Sequence, residues 1–176
     1  MKKTFTQNNI NKYIRLTQCY DQRYERGFTM DIHAHEGIEM MFVYDGNMSF
    51  VYEIDGEEQV FHLCMDELVF FDSTIPHYIR IESDAARIFN FQLKIFPDPV
   101  YPYQRNCAAL IGSDPVYQSL FREENSIFKL YDSYGIIFTL KKLVGLARLY
   151  CDTNYSVVDC LVQAILFEIA KGHYES

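Results

Sequence analysis

The stretch Gly27-Phe28-Thr29-Met30-Asp31-Ile32-His33-Ala34-His35-Glu36-Gly37-Ile38-Glu39-Met40-Met41-Phe42-Val43-Tyr44-Asp45-Gly46 decides the fold. His33 and His35 lie two residues apart, so on extended chain they point the same way, and Glu39 shares their parity. Gly37 offers a bend between them. The run from Ile38 to Tyr44 is apolar at almost every position, as expected of a strand covered on both faces. Asp45-Gly46 then closes it with a two-residue turn signal. A hairpin about that turn pairs Tyr44 with Asn47, Val43 with Met48, Met41 with Phe50 and Glu39 with Tyr52. Glu39, Met41, Val43, Met48, Phe50 and Tyr52 then share one face, and Met40, Phe42 and Tyr44 the other.

Outward from this stretch, residues from about 28 to 96 keep the same texture. Short apolar runs are broken at Asp55-Gly56, Asp72-Ser73-Thr74 and Ser83-Asp84, an antiparallel all-β pattern. Pro97, Pro99 and Pro102 mark a linker. Asp114-Pro115 reads as an N-cap and first helical residue of a short helix. Ile136, Leu140, Leu143, Ala147 and Tyr150 recur at helical spacing after Ser133. Asp152-Thr153-Asn154 breaks that pattern. Ser156 with Asp159 resembles a capping box opening a last helix, along which Val157, Leu161, Ala164, Ile165 and Phe167 recur, with Gly172 as its stop. The expected organisation is a barrel with an N-terminal arm over 1–98, a linker over 99–113 and a helical part over 114–176.

The chain has 176 residues and a net charge of −8, with a pI near 5.0. An acidic surface repels a phosphate backbone, so this piece is not expected to bind DNA by itself. No run of roughly 18 apolar residues is present to span a membrane. The two lysines at the N-terminus are followed by no apolar stretch, which argues against a signal peptide. Five scattered cysteines without a C-x-x-C pair fit reduced thiols in a cytoplasmic protein, each read as a small buried hydrophobe.

Two imidazoles and a carboxylate on one face make a partial metal shell. Pro76-His77, at the start of a later apolar strand, is placed to add a further ligand. The candidate metal ligands are therefore His33, His35, Glu39 and His77. They suit a divalent transition metal, whether zinc, nickel, manganese or iron.

The spacing Gly27-x5-His33-x-His35-x3-Glu39-x6-Gly46 resembles the first cupin motif. The segment from Asp66 to His77 resembles the second. It departs from the family where glycine, proline and glycine are usual, with Asp66, Asp72 and Thr74 in those places, and Ile81 replaces a frequent asparagine. Within cupins, the chain over nearly its whole length is similar to the N-terminal domain of AraC-type transcriptional regulators. This resemblance implies a mostly β fold, a single double-stranded β-helix (jelly-roll) barrel with a C-terminal antiparallel helical tail, α+β overall. It also implies a barrel that binds a small-molecule effector, a homodimer formed through the helices, and DNA binding by a further C-terminal domain. Such domains often keep these histidines and the glutamate as structural polar groups without metal.

The candidate effector site is the barrel interior. Met41, Val43, Phe50 and Tyr52 line one wall. If Ser83–Ala86 is a four-residue loop, Ile79 faces Asn90, His77 faces Gln92, and two amides join them inside. The same side chains could instead simply fill the barrel. Sugars, amines and organic acids all suit such a site. Three functions remain open: the sensing and dimerisation domain of a regulator, not an enzyme; a metal-dependent dioxygenase, decarboxylase or isomerase using three histidines and Glu39; and a stand-alone binding protein. No general acid or base stands out beside the metal ligands, because Glu53 points away and Glu67 has no evident role. His62 and His173 are expected at solvated positions.

Overall fold

A computed structural model describes residues 9–121, 126–132, 135–149 and 155–175, with backbone only for 147–149. Eight strands run in order: β1 (Tyr13–Glu25), β2 (Ile38–Asp45), β3 (Met48–Ile54), β4 (Glu57–Leu63), β5 (Glu67–Asp72), β6 (His77–Ile81), β7 (Ala85–Phe96) and, after two helical turns, β8 (Ile127–Tyr131). They form an antiparallel five-stranded sheet ordered β1-β7-β2-β5-β8 and a three-stranded sheet ordered β4-β3-β6. Two isolated bridges, Thr29 with Arg80 and His33 with His77, lay residues 29–33 along the free side of β6 as a broken strand. The smaller sheet is thus extended to β4-β3-β6-(29–33). Counting that segment second, the first eight strands alternate between the sheets in jelly-roll order except at the β3–β4 hairpin, which stays within the smaller sheet.

Both faces of the larger sheet are covered. Met41, Val43, Val69, Phe71 and Ile88 face the smaller sheet's Met48, Phe50, Leu63, Ile79 and Ile81 in an interior core. Met40, Phe42, Leu68, Phe70, Phe89 and Phe91 face the helices in a second core. The alternation read from the sequence therefore holds. The pairing does not: β2 pairs with β5 and β7, and β3 with β4 and β6. The Asp45-Gly46 turn carries the chain from one sheet to the other, and Met41 lies opposite Asn90 and Val69 rather than Phe50. The same correction applies to the later turn. β6 and β7 lie in different sheets, so Ile79 pairs with Phe50 and His77 with Tyr52.

Beyond the expected strands, β1 takes up residues 13–20 of what the sequence suggested as an N-terminal arm and runs on to Glu25. It pairs with β7 along its length, with an irregularity between Leu16 and Gln18 that shifts its facing. The stretch read as linker contains helix α1 (Cys107–Ser113), capped by the Asn106 side chain accepting from Ala109 N. A 3-10 helix (Pro115–Phe121) follows, its start capped by Asp114 accepting from Val116 N at 2.9 Å. β8 then interrupts the region read as wholly helical by pairing with β5.

Helix α2 (Ile136–Leu149) is capped by Asp132, whose carboxylate accepts from the amides of Gly135, Ile136 and Ile137. Helix α3 (Tyr155–Glu175) buries Val162, Ile165, Leu166, Ile169 and Ala170. It runs through Gly172, which is not a stop. Asp159 does not serve the expected capping box. Its carboxylate accepts from Tyr101 Oη and Gln163 Nε2, both at 2.6 Å. Ser133, Tyr150, Cys151 and 152–154 lie outside the described residues, as does the arm before residue 9. Among the described residues no helix is long and apolar enough to cross a membrane.

Candidate functional site

The fold gathers His33, His35, Glu39 and His77 at one end of the interior. His33 and His77 face each other across their bridge, with ring centroids 4.4 Å apart. His35 follows on irregular chain, held by its amide donating to Ser73 O. Gly37 makes the close approach that turns the chain into β2. A Cβ there would lie 2.7 Å from Leu93 O. Glu39 projects inward from β2 and is buried.

One ligand-type atom from each of His33, His35 and His77 falls within 4.8 Å of the others. Glu39 joins them: its Oε1 is 2.7 Å from His35 Nε2 and its Oε2 3.9 Å from His77 Nε2. Ligand atoms bonded to one metal at about 2.1 Å stand roughly 3–3.4 Å apart, so these separations bracket a common shell.

The tautomers favour ligation. His77 Nδ1 donates to Ile75 O at 2.7 Å and His33 Nδ1 to Asp31 O at 2.9 Å. Each leaves Nε2 as the lone-pair nitrogen, and backbone carbonyls hold the rings as outer partners do in metal sites. His77 Nε2 is buried without a hydrogen-bond partner. Such an orphaned acceptor costs free energy unless something fills the space before it. Burial against Phe71 and Phe50 pushes the His77 imidazolium pKa down to about 4, which keeps that lone pair available at neutral pH. The residues present therefore fit a transition-metal ion.

Glu39 sits in a hydrogen-bonded cage. Gln92 Nε2 donates to Glu39 Oε1 at 3.0 Å and lies 3.0 Å from His35 Nδ1, while Asn90 Nδ2 reaches Glu39 Oε2 at 3.5 Å. Burial nonetheless pushes the Glu39 carboxyl above the ordinary range, opposed by the nearby histidines and Asn90. Asn90 and Gln92 are inward, as the sequence suggested. Both are committed to Glu39, and they meet it from β7, not from a strand paired to β6.

Met41, Val43, Phe50 and Ile79 are all at most 2% exposed and belong to the interior core, so they form the floor beneath the polar group. Tyr52 is half-buried, its ring tilted against those of Phe50 and Phe61. Three inward groups on β1 were not legible in the sequence. Thr17 Oγ1 donates to Gln92 O or Oε1, both at 3.2 Å, and Tyr20 and Tyr24 face the same interior. The shift after Leu16 breaks the alternation that would have marked them.

Elsewhere, His62 is exposed yet hydrogen-bonds Ser49, and His173 stacks on Phe128 at 4.0 Å rather than standing in solvent. Cys64 and Cys160 are exposed, against the expectation for them. Burial of the other two described thiols, Cys19 and Cys107, pushes each pKa up to about 12.

The second cupin-like segment keeps its turns with other residues. Asp66 adopts φ of 66°, as glycine would, and Asp72 accepts from Thr74 N and Oγ1 at 3.1 and 2.7 Å.

No protein-family model matches the sequence, and no curated protein matches it. Solved structures do. ToxT from Vibrio cholerae, bound to a naphthalenyl-butenoic acid, aligns over 93% of this chain and 58% of its own, at 12% identity and a TM-score of 0.57. YhaK from Escherichia coli aligns over 77% of this chain and 50% of its own, at 11% identity and a TM-score of 0.47. An oxalate decarboxylase variant from Bacillus subtilis aligns over 52% of this chain and 26% of its own, at 16% identity and a TM-score of 0.40. The chain spans less than two thirds of each of these structures. The strand order and the match to ToxT across both sheets and the helices show the fold of this chain, a jelly roll of the cupin type carrying a helical tail.

Proposed function

We propose that this chain is the small-molecule-sensing and dimerisation part of an AraC-type transcriptional regulator. The observation that supports this reading is the extent of the match to ToxT, an AraC-type regulator. It takes in the strands and the helical tail together. In this reading the interior holds an effector, a second copy docks through the helices, and DNA is bound by a separate domain. Reading the gene beyond the codon for Ser176 tests it. A continuation of about 100 residues carrying two helix-turn-helix patterns and a basic balance is expected. A stop codon at that point would overturn it.

A second reading, a metal-dependent cupin enzyme, is favoured by one specific feature, the orphaned His77 Nε2 beside three further ligand-type side chains. His33, His35, Glu39 and His77 would hold the ion, which when bound supplies a Lewis acid with room for substrate. Gln92 and Asn90 would orient Glu39, and the apolar floor would keep bulk water out. Metal analysis of the purified chain tests this. Near-stoichiometric zinc, nickel, manganese or iron that is lost in His77→Ala is expected, and a metal-free protein that takes up none on titration would sink it.

A further inference from the structure

A cavity of about 490 Å³ opens to solvent where β1 and β2 end and β7 begins. That volume lies in the range of clefts that hold small organic molecules. It is on the helix side of the larger sheet. Tyr44, which lines it, packs against the outer core, and Lys141 of α2 donates to Tyr44 Oη at 3.0 Å. Glu39 and the histidines sit by the opposite end of β2, so this space is separate from their group.

Local sequence builds the cavity from strand ends. Val43 pairs with Ile88 and Asp45 with Arg87, which leaves Tyr44 as the extra residue of a bulge and turns both Tyr44 and Asp45 to the space. On β1, Arg23 lies directly opposite Arg87, and both line the cavity. Two like charges opposed on one face destabilise a sheet. A carboxylate steadies each at its Nε edge. Asp21, whose side chain is 10% exposed, accepts from Arg87 Nε and Nη2 at 2.7 and 2.6 Å, a fork that fixes the guanidinium plane. Glu25 accepts from Arg23 Nε at 3.1 Å. Arg87 Nη1 and both Nη groups of Arg23 make no hydrogen bond among the described residues.

An anion between the two arginines would relieve their repulsion and use those donors. Its charge is bounded by Asp45, which lines the same cavity, and by Asp21 behind Arg87. Asp45 is exposed and screened by water, so it tolerates one added negative charge better than two. A carboxylate matches the planar donors of arginine and carries a single charge. Met65, 55% exposed, and the ring of Tyr44 supply an apolar wall beside the arginines.

We propose that Arg23 and Arg87 form a binding site for a small organic carboxylate, its oxygens accepting from their Nη groups and its apolar body lying on Tyr44 and Met65. The site stands apart from the histidine group and does not depend on which reading of the function holds.

The test is calorimetric titration of the chain with 3-phenylpropionate, 3-phenylpropanol, 3-phenylpropylamine and inorganic phosphate. The carboxylate is expected to bind about tenfold or more tighter than the alcohol, the size of a charge-assisted hydrogen bond. The amine and phosphate should be weaker still. Arg23→Gln should weaken carboxylate binding about tenfold, Asp45→Asn should tighten it several-fold, and His77→Gln should leave it unchanged. Arg87→Gln should abolish it. That variant also strands the largely buried Asp21, so Arg23→Gln, at an exposed residue, keeps the test decisive if Arg87→Gln misfolds. Alcohol or amine binding as tightly as the carboxylate would overturn the anionic class, and phosphate binding as tightly would overturn the carboxylate. Binding of none of the four, or carboxylate binding that His77→Gln removes and Arg23→Gln and Asp45→Asn leave alone, would overturn the site itself.

Discussion

At the scale of single residues, His77 concentrates the tension of the site. It is fully buried, its Nδ1 is satisfied by Ile75 O, and its Nε2 faces a carboxylate across 3.9 Å. Burial lowers its pKa from 6.5 to about 4, so between those values the unfolded chain takes up a proton that the folded chain refuses. Stability contributed in this way is fully present above pH 6.5 and is lost as the pH falls toward 4, by about 3 kcal/mol in all. Glu39 acts in the opposite sense, because its raised pKa favours the folded chain at low pH. Denaturant unfolding of chelator-treated protein from pH 7 to 4 should therefore show a decline that flattens in His77→Gln. An unchanged slope in that variant would mean that another group carries the acid sensitivity. His33, His35, Glu39 and His77 were all legible beforehand, because their spacing is local and ligand chemistry restricts the residue types. Tyr20 and Tyr24 were not, because the irregularity after Leu16 inverts the facing of the rest of β1.

At the scale of elements, the turn between β2 and β3 shows what a sequence pattern does and does not specify. Alternation is a property of one strand, so the inward set from Glu39 to Tyr52 could be read directly. Partner choice depends on whether a turn folds back in its own sheet or crosses to the other. At Asp45-Gly46 it crosses, because Gly46 (φ 76°) is pressed against the start of β7. A Cβ there would lie 2.1 Å from Ala85 O. Gly46→Ala is expected to cost at least about 3 kcal/mol, from left-handed strain together with a backbone collision. A chemical denaturation midpoint within error of the parent would refute that account of the turn. A second element-level device joins the barrel to the tail. Asp159 on α3 accepts from Tyr101, Gln163 and, at 3.4 Å, Gln104, and Gln104 also donates to Ile14 O on β1. Asp159→Ala should cost about 2 kcal/mol, since charge-assisted bonds are the stronger class. It should also speed proteolytic cleavage between residues 98 and 106. Parent-like cleavage would show that the linker is held by packing alone.

At the scale of the whole molecule, the helices have two faces and the structure spends only one. Ile136, Leu140, Leu143 and Val144 of α2, with Val162, Ile165, Leu166 and Ile169 of α3, close the outer core of the larger sheet. That packing holds whether the chain is alone or paired, so burial of these residues says nothing about a second copy. The informative residues lie away from that core, where Phe138 is 75% exposed and Lys142 is exposed, while Lys141 reaches back to donate to Tyr44 Oη at 3.0 Å. A lone exposed aromatic is ordinary on a surface and becomes a contact residue only where a partner covers it. In the regulator reading that cover is the same helix of a second copy, since a twofold interface places one patch on itself. Sedimentation at micromolar concentration should then report a dimer. Phe138→Glu should weaken association about tenfold or more, because a charge would be buried at the contact without a partner. Its melting temperature should stay near the parent's once both are measured as monomers, because Phe138 touches neither core. A parent chain that sediments as a monomer at high micromolar concentration would leave the helices with one role, that of covering the sheet, and would move the search for a partner to the rest of the surface.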